Sequence, residues 1–517
     1  MRISHGEVHG AGVVDRVLFR ISSVAAEIGI GDPTKHFDYL LPGLQADPAN
    51  FLAPGPETLR ALKALGLTMT DAAEPPPQAG GGVGDSDIPA GYTYFGQFVD
   101  HDITFDEGSA GLSQLADDAL LPLADLAALR NSRSALLDLD SVYAGAPRDG
   151  ERLLVGAVTS LGNPAPPTAR PAGKGDRNDL PRKPPSPETP GTDREALIGD
   201  PRNDENVIIA QLHTAFLKAH NTQVDRGEDF VGAQRTMRRL YQAVVLHDFL
   251  RRICDPATYE DVLANGPRIW RPASADHLFM PAEFAAAGYR FGHSMIRTEY
   301  DFNLNFNPAR RSKATLDFLF VFTALNGQLG GEEIGVEFET LPENWIIDWD
   351  RFLDIAAVPA QRARAIDTLL THFLFKLRNT FGKPEGDGDP NPEVVDLAPK
   401  LAVRNLLRGY LFRLPTGQAV ARAFGVAPLA GETLRLALPE AQRVAAVPFL
   451  DATPLWFYVL AEAGAAGGQH LGPVGSRIVA ETFWNLIRYS ADSILDPGQP
   501  HAPAQLSEII ALAAEQD

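Results

Sequence analysis

The chain has 517 residues, with 46 lysines and arginines against 66 aspartates and glutamates, which gives a formal net charge of −20. This acidic balance argues against a nucleic-acid binder, which needs a basic face, and against a surface that adheres to anionic lipid. A single cysteine excludes an intramolecular disulfide framework and a cysteine-rich metal site. No apolar stretch is long enough for a transmembrane helix, and no signal-peptide core opens the sequence. We therefore expect no membrane span and a cytoplasmic location by default, with non-classical export as the alternative.

Clusters of proline and glycine divide the chain into helical and irregular stretches. Loops are predicted at residues 75–90, 161–195 and 383–392, because proline removes a backbone donor and clashes with the preceding turn. Apolar residues recur every three or four positions, as in amphipathic helices, over residues 205–225, 235–252, 359–379, 397–411 and 474–489. Strand-like alternation is limited to residues 300–304 and 335–339. The pattern predicts a mainly α fold.

The first stretch with chemical potential is GQFVDHD at residues 96–102. On a helix, Gln97 and His101 share a face and Asp100 lies on its flank, whereas Asp102 points elsewhere. Such a helix presents a base and a hydrogen-bond donor to one cavity. The alternative is a helix end with solvated acidic and histidine side chains.

The second stretch is SALLDLDSVY at residues 134–143. Its alternating Ser134, Leu136, Asp138 and Asp140 resemble an oxygen-ligand loop for a hard cation such as calcium. Two acidic residues in a loop are common, so an ordinary loop is the alternative.

The third stretch, GDPRNDEN at residues 199–206, opens the helix predicted at 205–225. Arg202 and Glu205 are three residues apart at this N-terminus. Acidic side chains there interact favourably with the helix dipole, so capping by Asp204 and Glu205 is a sufficient explanation without any function.

Two later stretches carry a histidine, an asparagine and arginines. His293 in GYRFGHS is either a core histidine or an axial metal ligand, and Arg290 lies about one turn before it. In RNLLRG, Asn405 and Arg408 are three residues apart on one helical face. Buried asparagine and arginine need polar partners, which the sequence alone does not identify.

Taken together and in this order, these motifs resemble those of the animal-type haem peroxidases of the peroxidase–cyclooxygenase superfamily, and the chain looks like a bacterial member. The series continues with LKAHN at 217–221 and LGPVGSRIVAETFWNLI at 471–487. The resemblance implies a helical core that encloses haem, with long loops and little β structure. It also implies an N-terminal extension at residues 1–90 and a catalytic domain at residues 91–517, with 161–195 as a proline-rich excursion.

The resemblance also implies a role for each motif residue. His101 would be the distal histidine and Arg202 the distal arginine, with Gln97 binding water or halide. His293 would bind the haem iron, Asn405 would accept its imidazole N–H, and Arg290 and Arg408 would lie near the haem propionates. Asp100 and Glu205 match carboxylates that form ester bonds to haem. Calcium would be bound by Asp102, Ser134, Leu136 (through its carbonyl), Asp138 and Asp140.

The implied function is a haem b peroxidase that reduces hydrogen peroxide and, through a ferryl intermediate, oxidises phenolic or aromatic donors, bromide, iodide or thiocyanate. This activity would place the protein in the response to oxidative stress, as a monomer by default. Two departures are informative. Asn206 replaces the methionine that forms a sulfonium link in myeloperoxidase, and Arg290 occupies the position of the tyrosine found in fatty-acid oxygenases, with Tyr289 expected to face differently. A fatty-acid dioxygenase and a non-catalytic haem-binding protein are the alternatives.

Overall fold

In this computed structural model, the described residues are 35–71, 74–107, 120–123, 126, 129–184, 194–324, 329–330, 335–377, 392–498 and 501–517. Residues 1–34 of the predicted extension therefore lie outside the described residues, as do 185–193 and 383–391 of the predicted loops. The α-helices are α1 (Pro56–Leu67), α2 (Gly91–Ile103), α3 (Asp140–Tyr143), α4 (Val207–Asp225), α5 (Phe230–Val244), α6 (Leu250–Ile253), α7 (Pro256–Asn265), α8 (Ala282–Ala285), α9 (Leu316–Val321), α10 (Pro392–Leu397), α11 (Leu401–Leu411), α12 (Gly417–Ala423), α13 (Gly431–Ala437), α14 (Leu455–Ala465), α15 (Pro473–Tyr489) and α16 (Leu506–Ala514). A π-helical turn, Val245–Phe249, joins α5 to α6.

The strands are short, two to five residues each. They are β1 (Lys35–Asp38), β2 (Thr70–Asp71), β3 (Asp85–Pro89), β4 (Asp106–Glu107), β5 (Arg130–Asn131), β6 (Arg148–Asp149), β7 (Arg152–Leu153), β8 (Gly156–Ala157), β9 (Arg177–Asp179), β10 (Met280–Pro281), β11 (Glu299–Tyr300), β12 (Ala314–Thr315), β13 (Arg362–Arg364) and β14 (Leu370–Thr371). The largest sheet has the strand order β10-β1-β5-β4, and the other pairings are two-stranded. The mainly α prediction is confirmed.

Helices α2 and α4 form the centre of the core. Phe98 of α2 stacks on Phe216 of α4 with ring centroids 4.5 Å apart, and Phe95 packs edge-on against Tyr241 of α5. Asn206 is the N-cap of helix α4, because its side chain accepts a hydrogen bond from the Ile209 amide. Because nearly every side chain of α4 is buried, this helix acts as a rigid support for the elements around it.

The segments before α2 pack against distant parts of the chain. The amides of Leu40 and Leu41 donate to the buried carboxylate of Glu283 at 2.8 and 3.2 Å. Helix α1 approaches α11 so closely that a Cβ at Gly66 would lie 2.9 Å from Val403. A side chain at position 66 would therefore separate the two helices.

The proline-rich stretch runs along the core over its described residues and includes the short strand β9. Its Arg182 is buried between Asp179, at 2.8 Å, and Asp204, at 2.7 Å. Since Asp204 belongs to the 3-10 turn Pro201–Asp204, this ion pair attaches the stretch directly to the turn that carries Arg202.

Several local predictions were wrong. Residues 359–377 form no helix. They contain β13, β14 and the 3-10 turn His372–Phe375, because β13 pairs with β3 and this tertiary pairing overrides the apolar periodicity. Within the first predicted strand, 300–304, only Tyr300 is strand, as the last residue of Glu299–Tyr300, and residues 335–339 form no strand. The helix predicted at 397–411 begins at Leu401, after Pro399.

Candidate active site

One cavity separates α2 from the 3-10 turn Gly288–His293, and both motif histidines face it. The empty space there, including the part open to solvent, is about 680 Å³. The lining consists of Tyr92, Thr93, Tyr94, Gly96, Gln97, Asp100, His101, Phe249, Tyr289, Arg290, Phe291, Gly292, His293, Met295 and Ile296. Two motifs almost two hundred residues apart in sequence therefore meet across a single space.

His101 is buried and is held from behind by a hydrogen bond. Its Nδ1 lies 2.9 Å from Oδ1 of Asn203, and its Nε2 lies 4.0 Å from Oε1 of Glu205. Burial and the charge of Arg202 lower the pKa of His101 below its usual range. The imidazole is therefore neutral at pH 7, as a general base must be.

Gln97, Glu205 and Asn206 form a hydrogen-bonded group beside His101. The Gln97 amide donates to Glu205 Oε1 and accepts from Asn206 Nδ2 at 3.2 Å. Glu205 is completely buried. The capping explanation for Asp204 and Glu205 is wrong, since Asn206 caps α4 and Asp204 pairs with Arg182.

The guanidinium of Arg202 lies against the backbone of α2. Its Nε and Nη2 donate to Asp200, and Nη2 also donates to the carbonyls of His101 at 3.2 Å and Thr104 at 2.6 Å. Among the described residues, Nη1 makes no hydrogen bond. Burial would raise the pKa of Asp200, but Arg133 and Arg202 outweigh it and hold this pKa well below its usual range. Asp200 therefore fixes the position of the arginine.

On the opposite side of the cavity, His293 contacts Asn405. Its Nδ1 lies 2.8 Å from Asn405 Nδ2, and turning the amide over places Oδ1 there, ready to accept a proton from Nδ1. Arg290 also lines the cavity, and its Nη1 lies 3.5 Å from Asn405 Oδ1 before the amide is turned, so turning the amide gives up this contact. Arg408 is buried on α11 with its guanidinium 5.7 Å from the centre of the Phe412 ring, and it is not among the described residues that line the cavity.

Three of the predicted calcium ligands converge beneath α2. Carboxylate oxygens of Asp102, Asp138 and Asp140 lie within 4.8 Å of one another, and all three side chains are buried. Ser134 Oγ donates to Asp138 Oδ1 at 3.3 Å, while Asp138 Oδ2 is buried and has no hydrogen-bond partner among the described residues. Burial and the neighbouring carboxylates raise the pKa of Asp102, and burial and Asp140 raise the pKa of Asp138 to about 7. Leu136 lies in the same loop.

The cation that partly balances this cluster is Arg133, which was not predicted from the sequence. Arg133 is fully buried, with Nη1 3.1 Å from Asp140 Oδ1 and Nη2 2.5 Å from Asp200 Oδ2. Asp200 in turn forms an ion pair with Arg202, so a continuous ionic network joins the acidic loop at 134–143 to the turn Pro201–Asp204. A charged residue directly before the acidic loop was the only signal for it.

Tyr289 was expected to face differently from Arg290, and this prediction is wrong. Its ring lines the cavity, stacks on Phe284 with centroids 4.8 Å apart, and donates its hydroxyl to the Gly96 carbonyl at 3.1 Å. Tyr92, also in the lining, donates to Asp248 at 2.5 Å, and the Arg252 guanidinium lies 4.5 Å from the centre of its ring.

The comparisons with known proteins bear on this arrangement. The family model for the animal haem peroxidase matches residues 125–325. Peroxidase A from Dictyostelium discoideum has the same fold, with a TM-score of 0.56, 16% identity and 93% of each chain covered. Residues 125–325 therefore match the animal haem peroxidase family, and the fold is that of Dictyostelium peroxidase A.

Other solved structures with this fold are fatty acid alpha-dioxygenases. The Oryza sativa enzyme gives a TM-score of 0.51 at 13% identity, covering 90% of this chain and 78% of that one. The Arabidopsis thaliana enzyme gives 0.50 at 12% identity, covering 96% and 86%. No curated protein matches the sequence. Among the described residues, no helix is both long and apolar enough to cross a bilayer.

The match to the animal haem peroxidase family points to haem, and the residues around the cavity suit that group. An imidazole lies on each side of the space, and an arginine is at its edge for an anionic substituent. A Cβ built on Gly292, directly before His293, would meet nothing within 4 Å. The backbone directly before the candidate iron ligand therefore leaves open space beside it.

Proposed function

We propose that this protein is a haem peroxidase that reduces hydrogen peroxide and oxidises small donors, either phenolic or aromatic compounds or bromide, iodide or thiocyanate. The observation that carries the proposal is the pairing of a buried, neutral His101 with His293 across one cavity. A haem peroxidase would need both functions, a proton acceptor and an iron ligand, at one site.

His101 would move the proton during peroxide reduction. Its Nε2 would accept a proton from the near oxygen of hydrogen peroxide and return it to the departing oxygen, which leaves as water. Burial, together with the fixed charge of Arg202, keeps the imidazole neutral beforehand, and the positive charge of Arg202 would also stabilise negative charge on the departing oxygen. Gln97 would orient a water or halide, supported by its bonds to Glu205 and Asn206.

His293 would hold the iron through Nε2, since Nδ1 is turned toward Asn405. When bound, haem supplies the redox-active iron that takes up the oxidising equivalents of peroxide. Asn405 would accept the Nδ1 proton and so increase the basicity of His293. Arg290 would pair with a propionate at the cavity edge, and Arg408 would contribute positive charge from α11.

A calcium ion would stabilise helix α2 by binding Asp102 near its C-terminal end. Asp102, Asp138 and Asp140 would supply carboxylate oxygens, with Ser134 through its hydroxyl and Leu136 through its carbonyl. The three buried carboxylates repel one another despite the charges of Arg133 and Arg238 beside them, as their raised pKa values indicate. A divalent cation would relieve this repulsion and hold Asp102 next to His101.

Asp100 and Glu205 would be the candidates for ester links to haem. Asp100 lines the cavity and accepts a hydrogen bond from Thr104 Oγ1 at 2.8 Å. Glu205 is fully buried and is engaged by Gln97. With Asn206 in place of a methionine, no sulfonium link can form, so easy oxidation of chloride is not expected.

The test is His101→Ala in the haem-loaded protein. If His101 is the base, rapid mixing with peroxide should give an initial spectral change slower by about 10²–10⁴-fold, with haem content unchanged. His277→Ala is the control and should react normally, because His277 is exposed and its ring is hydrogen-bonded to Ser274. Equal rates in the two variants would refute the assignment.

A fatty-acid dioxygenase is the second candidate, because Tyr289 faces the cavity after all. A tyrosine there could abstract hydrogen from a bound chain, although its hydroxyl is engaged by Gly96. Oxygen uptake with palmitate or linoleate in the presence of trace peroxide distinguishes the two. Uptake that Tyr289→Phe abolishes would favour the dioxygenase, and donor oxidation without uptake would favour the peroxidase.

A further inference from the structure

Three buried polar side chains, His101, Asn203 and His213, form a hydrogen-bonded chain that leads away from the cavity. His101 Nδ1 is 2.9 Å from Asn203 Oδ1, and Asn203 Nδ2 is 3.0 Å from His213 Nδ1. Asn203 and His213 have no exposed surface. The three residues come from α2, from the turn Pro201–Asp204 and from α4, so the chain crosses the centre of the core.

The two hydrogen bonds constrain each other because an amide has one donor end and one acceptor end. With Oδ1 toward His101, Nδ1 of His101 must carry the hydrogen, and Nε2 presents a lone pair to the cavity. The Nδ2 end then donates to His213, whose Nδ1 must accept. Turning the amide over reverses both tautomers, and His101 would present an Nε2 hydrogen that cannot take up a proton.

The surroundings of His101 favour the first arrangement. An Nε2 hydrogen would find Glu205 Oε1, the nearest carboxylate oxygen, at 4.0 Å, which is beyond hydrogen-bond reach. At the other end, burial lowers the pKa of His213 to about 3, so the ring stays neutral and one of its nitrogens can always accept. It packs edge-on against Phe98, with ring centroids 6.1 Å apart.

We propose that His213, by accepting at Nδ1, holds the Asn203 amide in the orientation that keeps Nε2 of His101 unprotonated and directed into the cavity. The inference rests on the proposed role of His101 as the base. Neither Asn203 nor His213 is among the described residues that line the cavity, so both are positioning residues.

The test measures cyanide binding to the haem-loaded protein, followed as a shift of its main absorption band. Hydrogen cyanide must lose its proton on binding, so at neutral pH its association rate reports on the base without turnover. Asn203→Leu, which has no acceptor, should slow association at least tenfold. Asn203→Asp should retain most of the rate, since either carboxylate oxygen can accept from His101 Nδ1.

The double variant separates positioning from packing. His213→Leu alone should slow association several-fold, because the amide can then turn over. The same change in the Asn203→Asp background should have no further effect, since a carboxylate has no donor end. His220→Gln, on the same helix and bonded to Tyr143 instead, is the matched control and should behave as the unmodified protein.

Two outcomes would overturn the proposal. One is an unchanged rate in both Asn203→Leu and His213→Leu, and the other is an equal loss from His213→Leu in both backgrounds. His101→Ala distinguishes this failure from failure of the proposed function. If His101→Ala slows cyanide binding and the positioning variants do not, only the inference fails, whereas an unchanged rate in His101→Ala removes the assignment of the base itself.

Discussion

Replacing Arg133 by leucine should destabilise the protein through the ionic network beneath the cavity. Arg133 is fully buried between Asp140 and Asp200, and Asp200 keeps a second cation in Arg202. The loss therefore falls mainly on Asp140, which is left buried near two other carboxylates. Removal of one partner from a buried ion pair costs about 3–5 kcal/mol, and the retained Arg202 favours the lower end, about 3 kcal/mol.

This free energy converts to a measurable change in Tm. At about 2.1 cal/mol/K per residue, unfolding a chain of this length carries an entropy of about 1.1 kcal/mol/K, so the expected decrease is roughly 3 °C. Scanning calorimetry in EDTA gives the value directly. Calcium should reduce the deficit, since a cation beside Asp140 supplies part of the missing charge.

Arg435→Leu is the control, because Arg435 forms an exposed ion pair with Glu432 and should leave Tm nearly unchanged. The reasoning fails if Arg133→Leu lowers Tm by no more than this control in EDTA. It also fails if saturating calcium leaves the whole deficit in place, since the network and the cation site would then be independent.

Three further predictions concern the metal and the haem. Folded Asp138 has a pKa of about 7, above its unfolded value, so its contribution to the stability of the metal-free protein is lost as pH rises through 7. Calcium binds the ionised carboxylates and should therefore raise Tm more at about pH 8 than at about pH 5.5, and an equal increase would contradict the site. After peroxide treatment, mass spectrometry of the denatured protein should show haem attached mainly through Asp100, which lines the cavity, and not through the fully buried Glu205. Asp100→Ala should therefore abolish the adduct, whereas Glu205→Ala should largely retain it. The reverse result would show that burial of the carboxylate does not limit formation of the ester. Asn405→Leu should weaken haem binding by about 10–100-fold in a titration of the haem-free protein, and unchanged affinity would argue against its support of the iron ligand.

Local sequence was sufficient wherever the required geometry lies within one element. Gln97 and His101 share a face of α2 and Asp102 points away from it, because residues four apart on a helix are neighbours. Asp138 and Asp140 also come together locally, because they lie two residues apart in one short loop. The resemblance added the pairing of His101 with His293, which no periodicity could have revealed.

Tertiary structure determined what these residues contact. Residues 359–377 have a helical pattern but pair with distant strands, and Tyr289 faces the cavity although its spacing from His293 suggested otherwise. The placements of Arg133 and Asn203 could not be deduced either, since each depends on partners from separate segments. The physical reason is that helical periodicity orders only residues within a few positions of each other, whereas a buried charge or amide is stabilised by whichever partner the packing brings to it.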